Sequence, residues 1–155
     1  MKQTTKPFEI KQLTKKDLST FKSLINLFNL VFEEEKPSIG SDANSLKLLG
    51  SHSFIAIVAV SKNEVLGGLT AYKLPMVYSD DSEILLYDMA VKPEYQRMGI
   101  GKAIIQYLKG YCLKNGIKGF FVMAHEEDKH AIEFYRATGG KNEKVVNFLY
   151  EIVEE

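Results

Sequence analysis

At 155 residues, 45% of them apolar, the chain has the size of one domain and enough apolar mass for a core covered on two sides. Lysine plus arginine and aspartate plus glutamate balance at 20 each, so no global field favours nucleic acid or an anionic membrane, and any electrostatic function must be local. The single Cys112 excludes an internal disulfide, the start from Met1 to Pro7 has no apolar signal core, and the longest apolar run, Phe54 to Val60, falls far short of the roughly 20 residues that span a bilayer; one soluble, cytoplasmic domain over 1–155 is expected.

Phe8 to Leu13 reads as a short first strand. Thr14-x-x-Asp17 has the pattern of a capping box, and Leu18, Phe21, Leu24, Ile25, Phe28, Val31 and Phe32 then recur at spacings of three and four, one apolar stripe of a helix lying on a sheet. Glu33-Glu34-Glu35-Lys36-Pro37 ends it; three carboxylates there oppose the helix dipole, so they read either as a solvated helix end or as groups with another use. Ser41-Asp42 caps a short second helix carrying Leu46, Leu48 and Leu49 and stopped by Gly50. Phe54 to Val60 and Val65 to Tyr72, joined by the polar Lys62-Asn63-Glu64, form an antiparallel hairpin. Glu83 to Val91 is the next strand, and its nearly continuous apolar run is that of a central strand, which makes Glu83 and Asp88 conspicuous. Glu83, at the strand start, has exposure as a second explanation; Asp88 reads either as a hydrogen-bonded structural carboxylate or as a catalytic one.

From Ile100 the positions Ile104, Tyr107, Leu108, Tyr111 and Cys112 keep helical spacing up to Asn115-Gly116, which assigns Cys112 to packing rather than to nucleophilic chemistry. Phe120 to Ala124 is a strand, Ala131, Ile132, Phe134 and Tyr135 lie on a helix ended by Gly139-Gly140, and Val145 to Val153 forms a last strand. Between the central strand and the Ile100 helix stands Gln96-Arg97-Met98-Gly99-Ile100-Gly101-Lys102, an anion cradle: a helix start offers unpaired amides and a positive dipole end, glycines let the backbone approach, and Arg97 and Lys102 add charge. A Walker loop would need Gly at Gln96 and Ser or Thr at Ala103, and a dinucleotide fingerprint a third Gly at Ile104, so neither applies.

Gln96-x-x-Gly99-x-Gly101 after a strand ending Ala90-Val91-x-Pro93 resembles the acetyl-CoA pyrophosphate loop of the GNAT N-acetyltransferases, and Ala131-x-x-Phe134-Tyr135-x-x-x-Gly139-Gly140 is similar to that family's second signature. Leu49-x-x-x-x-Phe54-Ile55-Ala56, Val65-x-Gly67-x-Leu69-x-Ala71-Tyr72-x-Leu74-Pro75 and Ser82-Glu83-Ile84-x-x-Tyr87-Asp88-Met89-Ala90-Val91 resemble the aminoglycoside 3-N-acetyltransferase group. The likeness weakens beyond Ala124, where that group tends to carry an aspartate at the position of His125 and a proline at that of His130. The resemblance implies an α/β (α+β) GNAT fold, a mixed, mostly antiparallel central sheet flanked by helices. It also implies acetyl-CoA as cofactor, held by Met89, Ala90 and Val91 along pantetheine and by Gln96, Arg97, Met98, Gly99, Ile100, Gly101 and Lys102 at the pyrophosphate. Tyr135 would protonate the departing thiolate, though it also reads as a core aromatic. A homodimer is the family habit.

Transfer to an amine needs a base, since alkyl ammonium groups have pKa values of about 10. Asp88 and Glu83 rank first because the resemblance runs through them, with His125 a third candidate. The acids Glu33, Glu34 and Glu35, Asp80, Asp81 and Glu83, and Glu126, Glu127 and Asp128, with Tyr72 and His125, are expected at the acceptor side, while Lys92, Arg97 and Lys102 gather at the cofactor side. The expected acceptor is a small-molecule amine, an aminoglycoside or related polycation; a peptide, polyamine or metabolite amine, or a non-catalytic acyl-CoA-binding module, are the alternatives. Neither nucleic acid nor membrane is an expected partner. No metal is called for, because His52, His125 and His130 form no ligand pair at helical spacing with a matching carboxylate.

Overall fold

The computed structural model describes residues 7–154, so the segment read above as lacking a signal core lies, up to Lys6, outside them. The elements run β1 (Glu9–Gln12), a 3-10 turn, α1 (Leu18–Val31), α2 (Asp42–Leu49), β2 (Phe54–Ser61), β3 (Glu64–Pro75), β4 (Ser82–Val91), a second 3-10 turn, α3 (Ile100–Lys114), β5 (Phe120–Val122) and α4 (Lys129–Ala137). The strands form one sheet in the order β1-β2-β3-β4-β5, antiparallel throughout except for the parallel pair β4 and β5. This is the mixed, mostly antiparallel sheet with flanking helices that the resemblance implies. The chain divides into two compact units, one reaching to Met123 and one from Ala124 onward.

Local chemistry accounts for the boundaries. Thr14 and Asp17 complete the capping box, but around a 3-10 turn, Lys15–Asp17, that leads into α1. Ser41 accepts the Asn44 N–H at 3.1 Å and starts α2. Lys62 and Asn63 both take left-handed conformations, φ 48° and 65°, between the paired Ser61 and Glu64, the two-residue hairpin turn whose twist suits the flanking strands. Glu33 closes α1 with φ 52°.

Both faces of the sheet in the first unit are covered. Phe54, Ala56 and Val58 of β2 join a core with Phe21, Leu24, Leu27 and Phe28 of α1. The alternate residues Ile55, Ile57 and Ala59, no more than 1% exposed, point the other way, where α3 buries Ile100, Ile104, Ile105, Leu108 and Cys112. Cys112 is therefore packing, as its place on the stripe predicts, and burial pushes its thiol up, away from the reactive thiolate. No helix among the described residues is long and apolar enough to cross a membrane.

One expected element is missing. Residues 145–153 form no strand, and Val145, Val146, Phe148, Leu149, Tyr150, Ile152 and Val153 are 75–93% exposed. Strand propensity alone does not make a strand; the backbone must find a partner edge, and among the described residues no strand pairs with this segment.

Close packing of α1 on the sheet hinges on Gly68. A Cβ there would lie 2.6 Å from the Ile57 carbonyl oxygen and 2.6 Å from Leu24 Cδ1. Because the carbonyl belongs to the paired backbone of β2, the clash cannot be relieved by side-chain rotation. Gly68→Ala should cost about 1–3 kcal/mol, read as a lower urea midpoint with unchanged slope. An unchanged midpoint would contradict this approach of helix to sheet.

Candidate active site

β4 pairs with β3 along its length, but the register slips once. Thr70 faces Asp88 and Ala71 faces Leu86, so Tyr87 is an extra residue, a β-bulge. In an undisturbed strand Tyr87 and Asp88 would point to opposite faces. Here both reach the row of β3 side chains formed by Thr70 and Tyr72: the Tyr87 ring stands edge-on to Tyr72 with centroids 5.6 Å apart, and Thr70 Oγ1 donates to Asp88 Oδ2 at 2.7 Å. Beyond the bulge the other edge of the strand is released. β4 pairs with β5 from Ile84 to Leu86, so among the described residues Tyr87 to Val91, including Met89, Ala90 and Val91, face no strand on the β5 side.

Asp88 opens into a cleft of about 220 Å³ under α1 and α2, walled by Phe28, Asn44, Phe54 and Tyr72, and it is the one carboxylate of that lining. Burial, then the negative charge of Asp88, then Tyr87, hold the Tyr72 phenol above its usual range, so its hydroxyl stays a neutral donor. A second cavity of about 250 Å³, lined among others by Gln12, Thr14, His52 and Tyr111, contains no carboxylate.

Past β4 the chain is tied down before it turns into α3. Gln96 Nε2 donates to the Val91 carbonyl at 3.1 Å, and Lys92 Nζ lies 2.5 Å from Glu64 Oε1. Lys92 is therefore an anchor neutralised by a carboxylate, not a free charge of the cofactor loop as its sequence position led us to expect. Arg97 and Gly99 adopt φ 61° and 82°, left-handed backbone on either side of Met98. A Cβ at Gly99 would meet nothing within 4 Å, so glycine serves the left-handed conformation there and not a tight fit. The first α3 bond closes from the Ala103 N–H to the Gly99 carbonyl at 3.0 Å, which leaves the amides of Ile100, Gly101 and Lys102 without an acceptor in the helix. Exposed Arg97 and Lys102 flank them, and neither belongs to an ion pair among the described residues. Free amides, a helix dipole and two cations fit a pyrophosphate.

In the second unit, Asp128 Oδ1 accepts the Ala131 N–H at 3.0 Å and starts α4. Tyr135 is half-buried on that helix, its ring 5.3 Å from that of Phe134. Burial, and after it the charge of Asp128, push its phenol up to about 12. His125 and Glu126 are exposed in the turn before α4.

Of the expected site residues, Asp88 and Tyr72 come together in the cleft. Glu83 faces Leu74, four positions from Thr70, which puts it on the same side of the sheet but roughly 13 Å along the strand. Glu33, Glu34 and Glu35 are exposed in the turn closing α1 and are not part of the cleft lining. Two members of the acidic clusters have structural work: Asp81 pairs with Lys118 at 3.3 Å, and Asp128 caps α4. Thr70 and Asn44 were not singled out from the sequence, and Phe28 only as a member of the apolar stripe of α1. Thr70 carried a signal, a hydroxyl in an apolar run two residues before Tyr72; Asn44 carried none, since only the folding of α2 brings it to the cleft.

The chain matches the model of the acetyltransferase (GNAT) family over residues 21–139. It is 37% identical to an aminoglycoside acetyltransferase, meta-AAC0020, from an uncultured soil metagenomic sample, whose structure holds sisomicin; the likeness covers 94% of this chain and 97% of that one with a TM-score of 0.91. A second aminoglycoside acetyltransferase from soil metagenomic DNA, HMB0005, is 32% identical over 94% of this chain and 99% of its own, with a TM-score of 0.89. Among curated proteins, the ribosomal protein bS18-alanine N-acetyltransferase of Escherichia coli K12 is 30% identical over 73 residues, 47% of this chain; the chain spans about half the length of that relative, 48%. The family match over most of the sequence is decisive: the chain belongs to the GNAT family of acetyltransferases.

Proposed function

We propose that the protein acetylates a primary amine of an aminoglycoside or a related polycationic small molecule, with Asp88 as the base. The observation that carries this reading is Asp88 itself, the single carboxylate in an aromatic-walled cleft, hydrogen-bonded by Thr70 beside a released strand edge. The two soil relatives named as aminoglycoside acetyltransferases support the acceptor class.

When bound, acetyl-CoA supplies a thioester-activated acetyl group and departs as a thiolate. The amides of Ile100, Gly101 and Lys102, with Arg97 and Lys102, would hold its pyrophosphate, and the edge of Met89, Ala90 and Val91 would line pantetheine. Asp88 draws the substrate ammonium into the cleft and accepts the proton that nitrogen loses as the new C–N bond forms and the C–S bond breaks. Thr70 fixes the carboxylate for that transfer by occupying Oδ2. Tyr72 and Phe28 offer ring faces to the cation. Tyr135 assists the leaving sulfur. Its phenol, at about 12, is a much weaker acid than a thiol at roughly 8.5, so full transfer would run uphill; it would donate a hydrogen bond to the sulfur, and the thiolate would take its proton from buffer only after release. The acids Glu33, Glu34, Glu35 and Glu83 would attract the polycation at longer range.

Asp88→Asn should lower kcat by about 10²–10⁴ at saturating amine while acetyl-CoA binding is unchanged. A loss confined to KM would assign Asp88 to binding alone. Tyr135→Phe should lower kcat roughly tenfold to a hundredfold, the value of one hydrogen bond to a charged group; a change under about threefold leaves the sulfur to water. CoA-thiol release should be faster with an aminoglycoside than with a hydrophobic monoamine or an alanine-ended peptide, and its KM should rise with salt. Preference for the peptide would replace the polycation with a protein N-terminus.

A further inference from the structure

The cleft that holds Asp88 has polar groups on two elements. The sheet contributes Asp88, Thr70 and Tyr72, and α2 contributes Asn44 and Ser45; the rest of the lining is apolar or, at Gly40, without a side chain. Ser45 and Thr70 are the two buried polar residues among those described, 2% and 5% exposed. Thr70 is satisfied, since its hydroxyl donates to Asp88 Oδ2 at 2.7 Å. Ser45 is not. A serine inside a helix usually faces water or donates back to the carbonyl four residues earlier, but the Ser41 carbonyl takes the Ser45 backbone N–H at 2.9 Å and the Ser45 hydroxyl bonds to no described group. No polar side-chain atom among the described residues is sealed in without a partner, so this hydroxyl keeps an opening, and Ser45 lines the cleft. Beside it, Asn44 gives its backbone N–H to Ser41 Oγ at 3.1 Å, while its side-chain amide has no hydrogen-bond partner among the described residues. A Cβ at Gly40 would lie 3.3 Å from Asn44 Nδ2, so the glycine leaves that amide uncovered.

We propose that Ser45 and Asn44 are specificity-determining residues that hydrogen-bond a hydroxyl of the acceptor, so that the cleft selects a ring carrying one amine at Asp88 and a hydroxyl toward α2. The proposal rests on the reading of Asp88 as the partner of the reacting amine and narrows the acceptor within it. Hydrogen-bond chemistry favours an alcohol: the serine hydroxyl and the asparagine amide each donate and accept, as a hydroxyl does, whereas an ammonium only donates. Charge excludes a second ammonium at the same place. Asp88 is the one carboxylate of the lining, and the reacting amine engages it; a further cation against α2 would be buried among neutral groups, at a far higher cost than a hydrogen-bonded hydroxyl. Size sets how much of the acceptor enters. At about 220 Å³ the cleft is smaller than the roughly 300–1,000 Å³ of pockets for drug-sized ligands, so one ring enters and the remaining cations of a polycation stay outside, where Glu33, Glu34 and Glu35 are exposed.

The test is CoA-thiol release with an aminocyclohexanol, the corresponding diaminocyclohexane and cyclohexylamine, taken through the ring isomers. The best aminocyclohexanol should exceed cyclohexylamine in kcat/KM by about threefold to tenfold, the value of one neutral hydrogen bond, and should exceed the diamine as well. Ser45→Ala suits a helix and should leave the circular dichroism melt in place, yet bring the ratio of alcohol to cyclohexylamine to within about twofold of one, chiefly through KM. Asn44→Ala should lower the same ratio. Asp88→Asn should instead cut kcat on every ring and keep the ratio. Equal kcat/KM on the three rings, a preference for the diamine, or a ratio that Ser45→Ala and Asn44→Ala leave untouched overturns this proposal while the reading of Asp88 stands. Turnover of an aminoglycoside but of none of these rings also overturns it, since the cleft would then not recognise a single ring. No turnover with any amine overturns both.

Discussion

The site depends on one irregularity, the bulge at Tyr87. A regular β4 would alternate its side chains and pair on both edges to its end. With one extra residue, Asp88 stays opposite Thr70 while Leu86 takes the place opposite Ala71. The same kink that turns Tyr87 and Asp88 to one face coincides with the end of the parallel pairing to β5 at Leu86. A single backbone event thus sets a carboxylate facing the cleft beside a stretch of β4 that β5 does not pair. Their proximity is covalent, since Asp88 and Met89 to Val91 are consecutive residues.

Packing then decides what surrounds the carboxylate. Because Gly68 has no side chain, α1 comes down on the sheet at Leu24, and Phe21 and Phe28 of the same helix reach the cleft wall. α2 closes the far side with Asn44. Thr70 is 5% exposed and would be costly to bury alone, but its hydroxyl donates to Asp88, so each polar group satisfies the other.

Charge in this protein is arranged by pairing more than by accumulation. Lys92, one of three cations adjoining the cofactor loop, is spent on Glu64 and pins the end of β4 to the start of β3. What remains for an anion is Arg97, Lys102 and the amide ends of α3. Acids that look like a field in the sequence divide in the same way: Asp81 answers Lys118, Asp128 caps α4, and Asp88 alone enters the cleft.

The sequence by itself determined most of the elements and the left-handed turn into α3, because both rest on short-range rules. Apolar spacing of three and four made α1 and α3, the Lys62-Asn63 turn made the hairpin, and Gly99 next to a helix start made the cradle. It also brought Asp88 forward, since a carboxylate in an apolar strand needs a reason. Only the tertiary structure decided what those residues meet. The bulge at Tyr87 is a register slip, which involves the partner strand and leaves no local mark. Glu83 and Asp88 look alike in the strand, yet pairing separates them by four positions. Lys92 reads as a cofactor cation until Glu64 is found opposite it. Val145 to Val153 shows the limit from the other side: a strand is a relation between two backbones, so strand-forming residues without an edge remain exposed chain.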